Sequence, residues 1–196
     1  LGKLGLPDLS MRVRTGRNFK QFPLPGSMTK TDRVNMENFA AKAFESLIAM
    51  PEYGGKYISI TSGSPHEISN EEYQAVVDSH IMFKDMAADT YLAAAGIASH
   101  WPHGRGCYVS EDRGFVIWVG EEDHLRIMCM KKGTILNEVF DRLKGALDVV
   151  NGIESIGGFA HSEDYGVVTS CPTNLGTGMR ASLHIALPFL TSDGTD

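Results

Sequence analysis

The stretch FVIWVGEEDHLRIMCM, residues 115–130, predicts two β-strands joined by an acidic turn, and this pair decides the fold class. FVIWV (115–119) is an apolar run that is too short for a buried helix and rich in residues that favour strands. In LRIMCM (125–130), Leu, Ile and Cys alternate with Arg126 and two methionines, as on a strand with one face toward a core. We therefore predict an antiparallel hairpin with its turn at residues 121–123.

Outward from this hairpin, apolar residues recur at helical spacing in four segments. The segments cover residues 29–50, 69–80, 91–101 and 134–154, and Pro102 ends the third. The expected N-caps are Thr31 or Asp32, Ser69 or Asn70, and Thr134. The last helix is predicted to bury a stripe made of Ile135, Val139, Leu143, Ala146, Leu147 and Val150.

Four further segments predict strands, and in the first and last of them apolar and polar residues alternate with period two. These segments are residues 11–17, 54–61, 166–171 and 179–187. In the first, Arg12 and Arg14 share one face, opposite Met11 and Val13. In the last, the residues predicted to point inward are Met179, Ala181, Leu183 and Ile185. Those predicted to point outward are Arg180, Ser182 and His184.

Strands and helices are mixed along the chain without a regular βαβ rhythm. This order predicts an α+β fold in which a largely antiparallel β-sheet is flanked by α-helices. A length of 196 residues suits a single domain over residues 1–196.

The charge balance and the cysteine count exclude several classes of protein. The formal net charge is −6, which argues against a surface that binds duplex nucleic acid or an anionic membrane. No run of residues approaches the ~18 apolar positions that span a bilayer. The three cysteines have neither zinc-ligand spacing nor an even count. We therefore expect a soluble protein in a reducing compartment, the cytoplasm.

Four arginines on predicted strands form the first candidate binding site: Arg12, Arg14, Arg126 and Arg180. A single arginine on a strand usually points into solvent. Two at positions i and i+2, with two more on other strands, indicate an anion, because the planar guanidinium binds phosphate through paired charge-assisted hydrogen bonds. The sequence has no GxxxxGK[ST] loop. We therefore predict a polyphosphate site that is built from side chains.

The acidic turn and Cys171 form the second candidate, and each has an ordinary structural explanation. Acidic hairpin turns are usually solvated, but a carboxylate held there could also orient and deprotonate a cationic substrate. A lone cysteine is more often a small buried hydrophobic residue, yet Cys171 beside Pro172 also suits a reactive thiolate. His80 and His184 are more often structural than catalytic. A cysteine hydrolase that pairs Cys171 with either histidine stays open at this point.

Three motifs in this order resemble those of the phosphagen (guanidino) kinases, the family that includes arginine kinase and creatine kinase. The motifs are SMRVRTGR (10–17), EEDHLRI (121–127) and CPTNLGTGMRASLHI (171–185). The resemblance is to the catalytic domain of the family and extends from Ser10 to about Leu190. It implies reversible transfer of the γ-phosphoryl group of ATP to a guanidino compound, with Mg²⁺ held mainly by phosphate oxygens and water. CPTN and EEDHLR look more like arginine kinase than creatine kinase, so arginine is the expected substrate.

The resemblance also implies roles for individual residues. Glu122 would orient the guanidinium and accept its proton, and Cys171 as a thiolate would contact another guanidinium nitrogen. The residues implied to bind the nucleotide are Ser10, Arg12, Val13, Arg14, His80, Arg126, Arg180, Ala181, Ser182, Leu183 and His184. The expected partners are ATP or ADP and a guanidino small molecule, and the expected assembly is a monomer or homodimer.

The sequence departs from the family pattern in three ways. Met11 stands where the family usually has threonine, for which we expect only a change in packing. The family also has an N-terminal helical domain and, after the matching region, a loop with a further arginine and a further glutamate. We expect this chain to be the core of the catalytic domain without those two parts. Two alternatives stay open: a nucleotide-binding domain without turnover, and specificity for creatine, taurocyamine or protein arginine.

Overall fold

The computed structural model describes residues 9–133, 136–153 and 157–185, and within them the chain forms eight β-strands and four α-helices. The strands are β1 Ser10–Arg17, β2 Lys56–Ser59, β3 Gly106–Val109, β4 Phe115–Val119, β5 Leu125–Lys132, β6 His161–Ser162, β7 Gly166–Val167 and β8 Met179–His184. The helices are α1 Lys30–Ile48, α2 Asn70–Asp78, α3 Thr90–Ala94 and α4 Leu136–Asn151. None of the helices in the described ranges is long and apolar enough to cross a membrane.

Six of the strands form one antiparallel sheet in the order β2-β3-β4-β5-β1-β8. The predicted hairpin is confirmed, since β4 pairs with β5 and Phe115 lies opposite Cys129. Phe115, Ile117 and Leu125 are fully buried, which fits the central position of this pair. The α+β class with an antiparallel sheet and flanking helices is confirmed. The strands β6 and β7 form a separate two-stranded sheet.

The two faces of the large sheet are covered differently. Helices α1 and α4 pack on one face, where Phe44 and Leu143 join Val13 and Ile127 in the main core. A smaller apolar cluster covers the other face, and its strand residues come from β2 to β5. On this second face, β1 and β8 carry arginines instead of apolar residues. Within residues 9–133, 136–153 and 157–185, this apolar cluster therefore does not include residues of β1 or β8.

The starts of the first two helices follow a capping pattern in the sequence. Thr29 caps α1, and its side chain and that of Asp32 exchange hydrogen bonds with each other's backbone N–H. The predicted cap at Thr31 or Asp32 is therefore wrong, because Asp32 is the third residue of the helix. Ser69 caps α2 in the same way with Glu72, as predicted. This helix ends at Asp78, two residues before His80.

The later helices differ from the prediction in extent. The helix predicted over 91–101 is limited to α3, which is five residues long, because Gly96 adopts a left-handed conformation with φ of 72°. In α4 the predicted stripe is largely confirmed, with Val139, Leu143, Ala146 and Val150 buried and Leu147 partly buried. The predicted cap Thr134 and the stripe residue Ile135 lie outside the described residues, as does residue 154.

The strand predictions hold at β1 and fail near the C-terminal end. Residues 11–17 form β1 with alternating burial, as expected. The segment 166–171 contributes only the two residues of β7. β8 is an edge strand, and the prediction that Met179, Ala181 and Ile185 point into a core is wrong because these side chains are exposed. The buried strand β3 was not predicted, since GCYV is short and shows no alternation.

Candidate active site

The register of β1 places the four predicted arginines on one face of the sheet. Arg14 lies opposite Arg180 on β8, and Gly16 lies opposite Arg126 on β5. Residues directly opposite each other in an antiparallel pair project to the same face, and Arg12 shares this face because it is two residues from Arg14. Burial lowers the pKa of Arg14, and the positive charges of Arg126, Arg12 and Arg180 lower it further. The cluster is therefore a site of unbalanced positive charge that favours an anion.

A polar pocket of about 190 Å³ brings the two sequence candidates together. It is lined by Arg14, Thr15, Gly16, Glu122, Asp123, Arg126, Cys171, Thr173, Asn174, Gly178 and Arg180. The lining comes from β1, from the β4–β5 turn, from β5 and from the segment 171–180. Residues that are far apart in the sequence thus meet around one small volume, and they include the predicted carboxylate, the predicted thiol and three of the four arginines.

The acidic turn contributes two carboxylates to this pocket, those of Glu122 and Asp123. Oε2 of Glu121 and Oε2 of Glu122 each lie 2.9 Å from Nη2 of Arg126. Glu122 lines the pocket and accepts a 3.4 Å hydrogen bond from Nδ2 of Asn174, whereas Glu121 is not among the lining residues. Burial raises the pKa of Glu121, and the charge of Arg126 opposes that shift. Of the two glutamates that contact Arg126, Glu122 is therefore the one that lines the pocket.

Cys171 differs from the other two cysteines in exposure. It is half-buried, directly precedes a short 3₁₀ turn at Pro172–Asn174, and has its Sγ 2.9 Å from Oγ1 of Thr173. Cys107 and Cys129 are buried, which raises the pKa of both thiols, that of Cys129 to about 11. Only the thiolate is a strong nucleophile or anionic contact. Cys171 is therefore the one cysteine of the three that is not buried, and it lines the pocket with Glu122.

The two candidate histidines lie away from Cys171. His80 adopts a left-handed conformation with φ of 59° and lines a second pocket of about 490 Å³, together with Arg12 and Trp118. His184 is exposed on β8, opposite Ser10. In the part of the chain that the structure describes, no histidine lines the pocket that holds Cys171. This arrangement does not support a cysteine hydrolase, because a thiol needs a base within hydrogen-bond reach.

Five further residues implied to bind the nucleotide have mixed positions. Ser182 is on the arginine face, where its Oγ lies 3.5 Å from the carbonyl oxygen of Arg12. Ser10 lines a separate pocket of about 750 Å³ near Asp112. Those with side chains on the opposite face of the sheet are Val13, Ala181 and Leu183. Only the backbone of these three could reach a ligand on the arginine face, and all five assignments stay predictions.

Sequence reasoning assigned no role to Asn174 or Asn18, and none to Asp123 individually within the acidic turn. Asn174 contacts Glu122, and buried Asn18 is hydrogen-bonded to Asp123, which lines the pocket. Asn174 lies within the CPTN motif, so the sequence held a signal for it. Asn18 carries no such signal, because its contact with Asp123 joins residues 105 positions apart.

His124, which follows the acidic turn, is a structural residue. Its Nδ1 accepts a hydrogen bond from the backbone N–H of Phe19, so Nε2 carries the proton and donates to the carbonyl oxygen of Pro23. Burial lowers the pKa of His124 to about 4. The neutral imidazole therefore holds the end of β1 against the turn.

We expect the fold to lose stability through His124 as the pH falls from ~6.5 to ~4. The unfolded histidine has a pKa of ~6.5, so in this window the unfolded chain binds the proton and the folded chain does not. The free energy of unfolding should fall by ~3 kcal/mol over the window. Urea unfolding at several pH values measures it, with His124→Gln as the comparison. Equal pH slopes in both proteins would contradict the prediction.

Comparison with known proteins agrees with this fold and site. Residues 35–196 match the sequence model of the family described as ATP:guanido phosphotransferase, C-terminal catalytic domain. The chain therefore belongs to the ATP:guanido phosphotransferase family. It is 41% identical over 179 residues to an arginine kinase of Anthopleura japonica, covering 91% of this chain and 23% of that protein. It is 40% identical over 185 residues to arginine kinase Lit v 2 of Penaeus vannamei, covering 94% and 49%.

Two solved structures are similar in fold. One is the substrate-free duplicated taurocyamine kinase from Schistosoma mansoni, with a TM-score of 0.80 and 34% identity, covering 94% of this chain and 24% of that chain. The other is a lombricine kinase, with a TM-score of 0.81 and 28% identity, covering 94% and 49%. The chain spans about half the length, or less, of these relatives.

Proposed function

We propose that this chain forms the catalytic core of a guanidino kinase that moves the γ-phosphoryl group between ATP and arginine. The observation that carries the proposal is the polar pocket in which Glu122, Cys171 and three arginines meet. Cation-binding and anion-binding groups adjoin there, as a reaction between a guanidinium and a polyphosphate requires. The two arginine kinases that are about 40% identical over nearly the whole chain support arginine as the substrate.

The arginines act on the phosphates. Phosphoryl transfer depends mainly on in-line alignment and on neutralising charge around the group that moves. The guanidinium groups of Arg14, Arg126 and Arg180 line the pocket and are arranged around one volume, so they can contact several phosphate oxygens together. Mg²⁺ would arrive with the nucleotide and add to the neutralisation. Phosphate oxygens and water would supply most of the ligands of this Mg²⁺.

Glu122 and Cys171 act on the guanidino substrate. A guanidinium is a poor nucleophile because its lone pairs are delocalised, so it needs alignment and loss of a proton. As its nitrogen bonds to the γ-phosphorus, the bond from that phosphorus to the bridging oxygen of ADP breaks, and Glu122 takes the proton. Cys171 faces the same volume and contacts another nitrogen. The second pocket, where His80 and Trp118 adjoin Arg12, is the place for the rest of the nucleotide.

The cellular compartment of the protein can be proposed from the state of its cysteines. All three cysteines are free, which suits a reducing compartment, and we place the protein in the cytoplasm. That the complete enzyme has an N-terminal helical domain and a C-terminal loop stays a prediction, and so does a monomeric or homodimeric state.

The function is tested by nucleotide turnover. We expect ADP to form from ATP only when a guanidino compound is added, with arginine preferred over creatine, taurocyamine and lombricine. The assay should use this chain and the longest polypeptide that contains it, with Mg²⁺ present. Binding of ATP without turnover in both proteins would favour a nucleotide-binding domain that has no activity.

A further inference from the structure

A buried amide and a buried carboxylate join the three segments that carry the active site. Asn18 is fully buried and Asp123 is 3% exposed. Oδ1 of Asp123 accepts hydrogen bonds from Nδ2 of Asn18 at 2.8 Å and from the backbone N–H of Ser170 at 2.7 Å. Asn18 also donates to the carbonyl oxygen of Val168 and accepts from the backbone N–H of His124. We call these contacts the Asn18–Asp123 clasp.

Each member of the clasp is next to a residue of the site. Asp123 directly follows Glu122 in the turn, and Ser170 directly precedes Cys171. Asn18 follows the end of β1, the strand that carries Arg14. The bond from Ser170 to Asp123 therefore sets the distance between the proposed proton acceptor and the thiol. The bonds of Asn18 hold that pair against the strand that binds phosphate.

The sheet leaves space for this carboxylate. A Cβ atom at Gly16 would lie 2.5 Å from Oδ2 of Asp123, so a side chain at this position of β1 would displace the carboxylate. Nδ2 and Oδ1 of Asn18 and Oδ1 of Asp123 are all engaged in these contacts, and the burial of both side chains limits competition from water. A buried acceptor with two donors at 2.8 Å or less fixes its neighbours more tightly than an exposed turn could.

We propose that Asn18 and Asp123 are positioning residues. They act on the reaction by fixing the positions of Glu122 and Cys171 relative to each other around the guanidino group. The inference rests on the proposed function and extends it to Asn18, which is not among the pocket residues, and to Asp123, whose Oδ1 is engaged by Asn18 and Ser170. In-line transfer is sensitive to displacements near 1 Å, which can lower a rate by about 10²-fold. The effect should fall on the guanidino substrate, because the phosphate-binding arginines are held by the strand pairing of the sheet.

The test uses four variants in the polypeptide that shows activity. Asn18→Ala and Asp123→Ala remove one side of the clasp each. Asp123→Asn keeps an oxygen that can accept from Ser170 and is the conservative rescue. Ser170→Ala is the matched control, because it removes a buried hydroxyl that has no hydrogen-bond partner among the described residues and keeps the backbone N–H that donates to Asp123.

Two measurements on these variants test the positioning role. The first is kcat and KM for each substrate: the two alanine variants should lose roughly 10-fold to 100-fold in kcat/KM for the guanidino compound, with the KM for ATP nearly unchanged. Asp123→Asn should recover much of the loss, and Ser170→Ala should behave as wild type. The second is amide hydrogen exchange without ligands: the N–H of Ser170 should exchange at least about 10-fold faster in Asp123→Ala.

The outcomes distinguish a failure of the positioning role of the clasp from a failure of the proposed function. A wild-type protein that transfers no phosphoryl group would overturn the proposed function. The positioning role alone would be overturned if the wild type is active and the folded alanine variants have the same kcat/KM. It would also be overturned if their kcat/KM falls equally for ATP and for the guanidino compound. Unchanged exchange at Ser170 in Asp123→Ala would also overturn it, whatever the activity.

Discussion

Glu122→Gln is expected to lower the rate of phosphoryl transfer by ~10²–10⁴-fold at saturating ATP, while the nucleotide still binds. The amide keeps the shape of the side chain but cannot take the proton that leaves the guanidinium. Glu122 lines the pocket, and its Oε2 lies where a cationic group is already held, since Arg126 is 2.9 Å away. Nucleotide affinity should survive because Glu121 makes an equal contact with Arg126. The rate and the affinity are measured separately, by a coupled assay and by calorimetry.

Glu121→Gln is the matched control for this change. Glu121 has the same side chain and the same distance to Arg126 but does not line the pocket. We expect it to reduce the rate far less than Glu122→Gln does. Similar activity in the two variants would mean that the turn supplies no specific proton acceptor.

Arg126→Ala is expected to weaken nucleotide binding by ~1.5–3 kcal/mol, as for a lost charge-assisted contact. The rate should fall further, by about 10³-fold, since an arginine at the transferring phosphoryl group can contribute this much. Arg126 lies between the proposed binding regions of the two substrates. It contacts the two glutamates of the turn, and its guanidinium carbon lies 5.7 Å from the ring centroid of Trp118. Calorimetry measures the affinity, and Trp118 fluorescence gives a second signal for occupancy.

Two further variants control for charge in the Arg126 experiment. Arg113→Ala removes an equal charge from an exposed turn outside this pocket and should leave affinity nearly unchanged. Arg126→Lys keeps the charge but loses the planar fork, so it should recover only part of the binding. Equal nucleotide affinity in wild type and Arg126→Ala would contradict the proposed phosphate site.

The parts of the fold that were predicted correctly are those specified by local pattern. The hairpin at 115–130 and the alternation of β1 depend on neighbours within a few residues, and both are present. The direction of side chains on β8 depends on what packs against that strand, and an edge position cannot be read from alternation alone. The cap of α1 was available in the sequence, because Thr29 precedes Asp32 by three residues as in a capping box, but Thr31 and Asp32 were equally plausible by residue type.

The residues of the site also fall into two groups, those that a local pattern predicts and those that only the folded structure brings together. Alternation placed Arg12 and Arg14 on one face, and the structure adds Arg126 and Arg180 to that face through strand register. Glu122 and Cys171 were implied by resemblance, since nothing local distinguishes one turn carboxylate from its neighbours. The pair of Asn18 and Asp123 could not be predicted, because its contact forms only once β1 and the β4–β5 hairpin lie side by side.

The arginine cluster also makes the stability of the fold depend on the buffer. Folding brings the charges of Arg126 and Arg180 close to those of Arg12 and Arg14, and the pKa of Arg14 is lowered first by burial and then by these neighbouring charges. An anion that binds only the folded cluster stabilises it by RT ln(1 + [L]/Kd), which is about 2.7 kcal/mol at a hundredfold excess over Kd. We therefore expect phosphate, pyrophosphate and sulfate to raise the midpoint of thermal unfolding, and the anion with the lowest Kd to raise it most at a given concentration. Melting temperatures of variants in this cluster are comparable only when the kind and concentration of anion are the same.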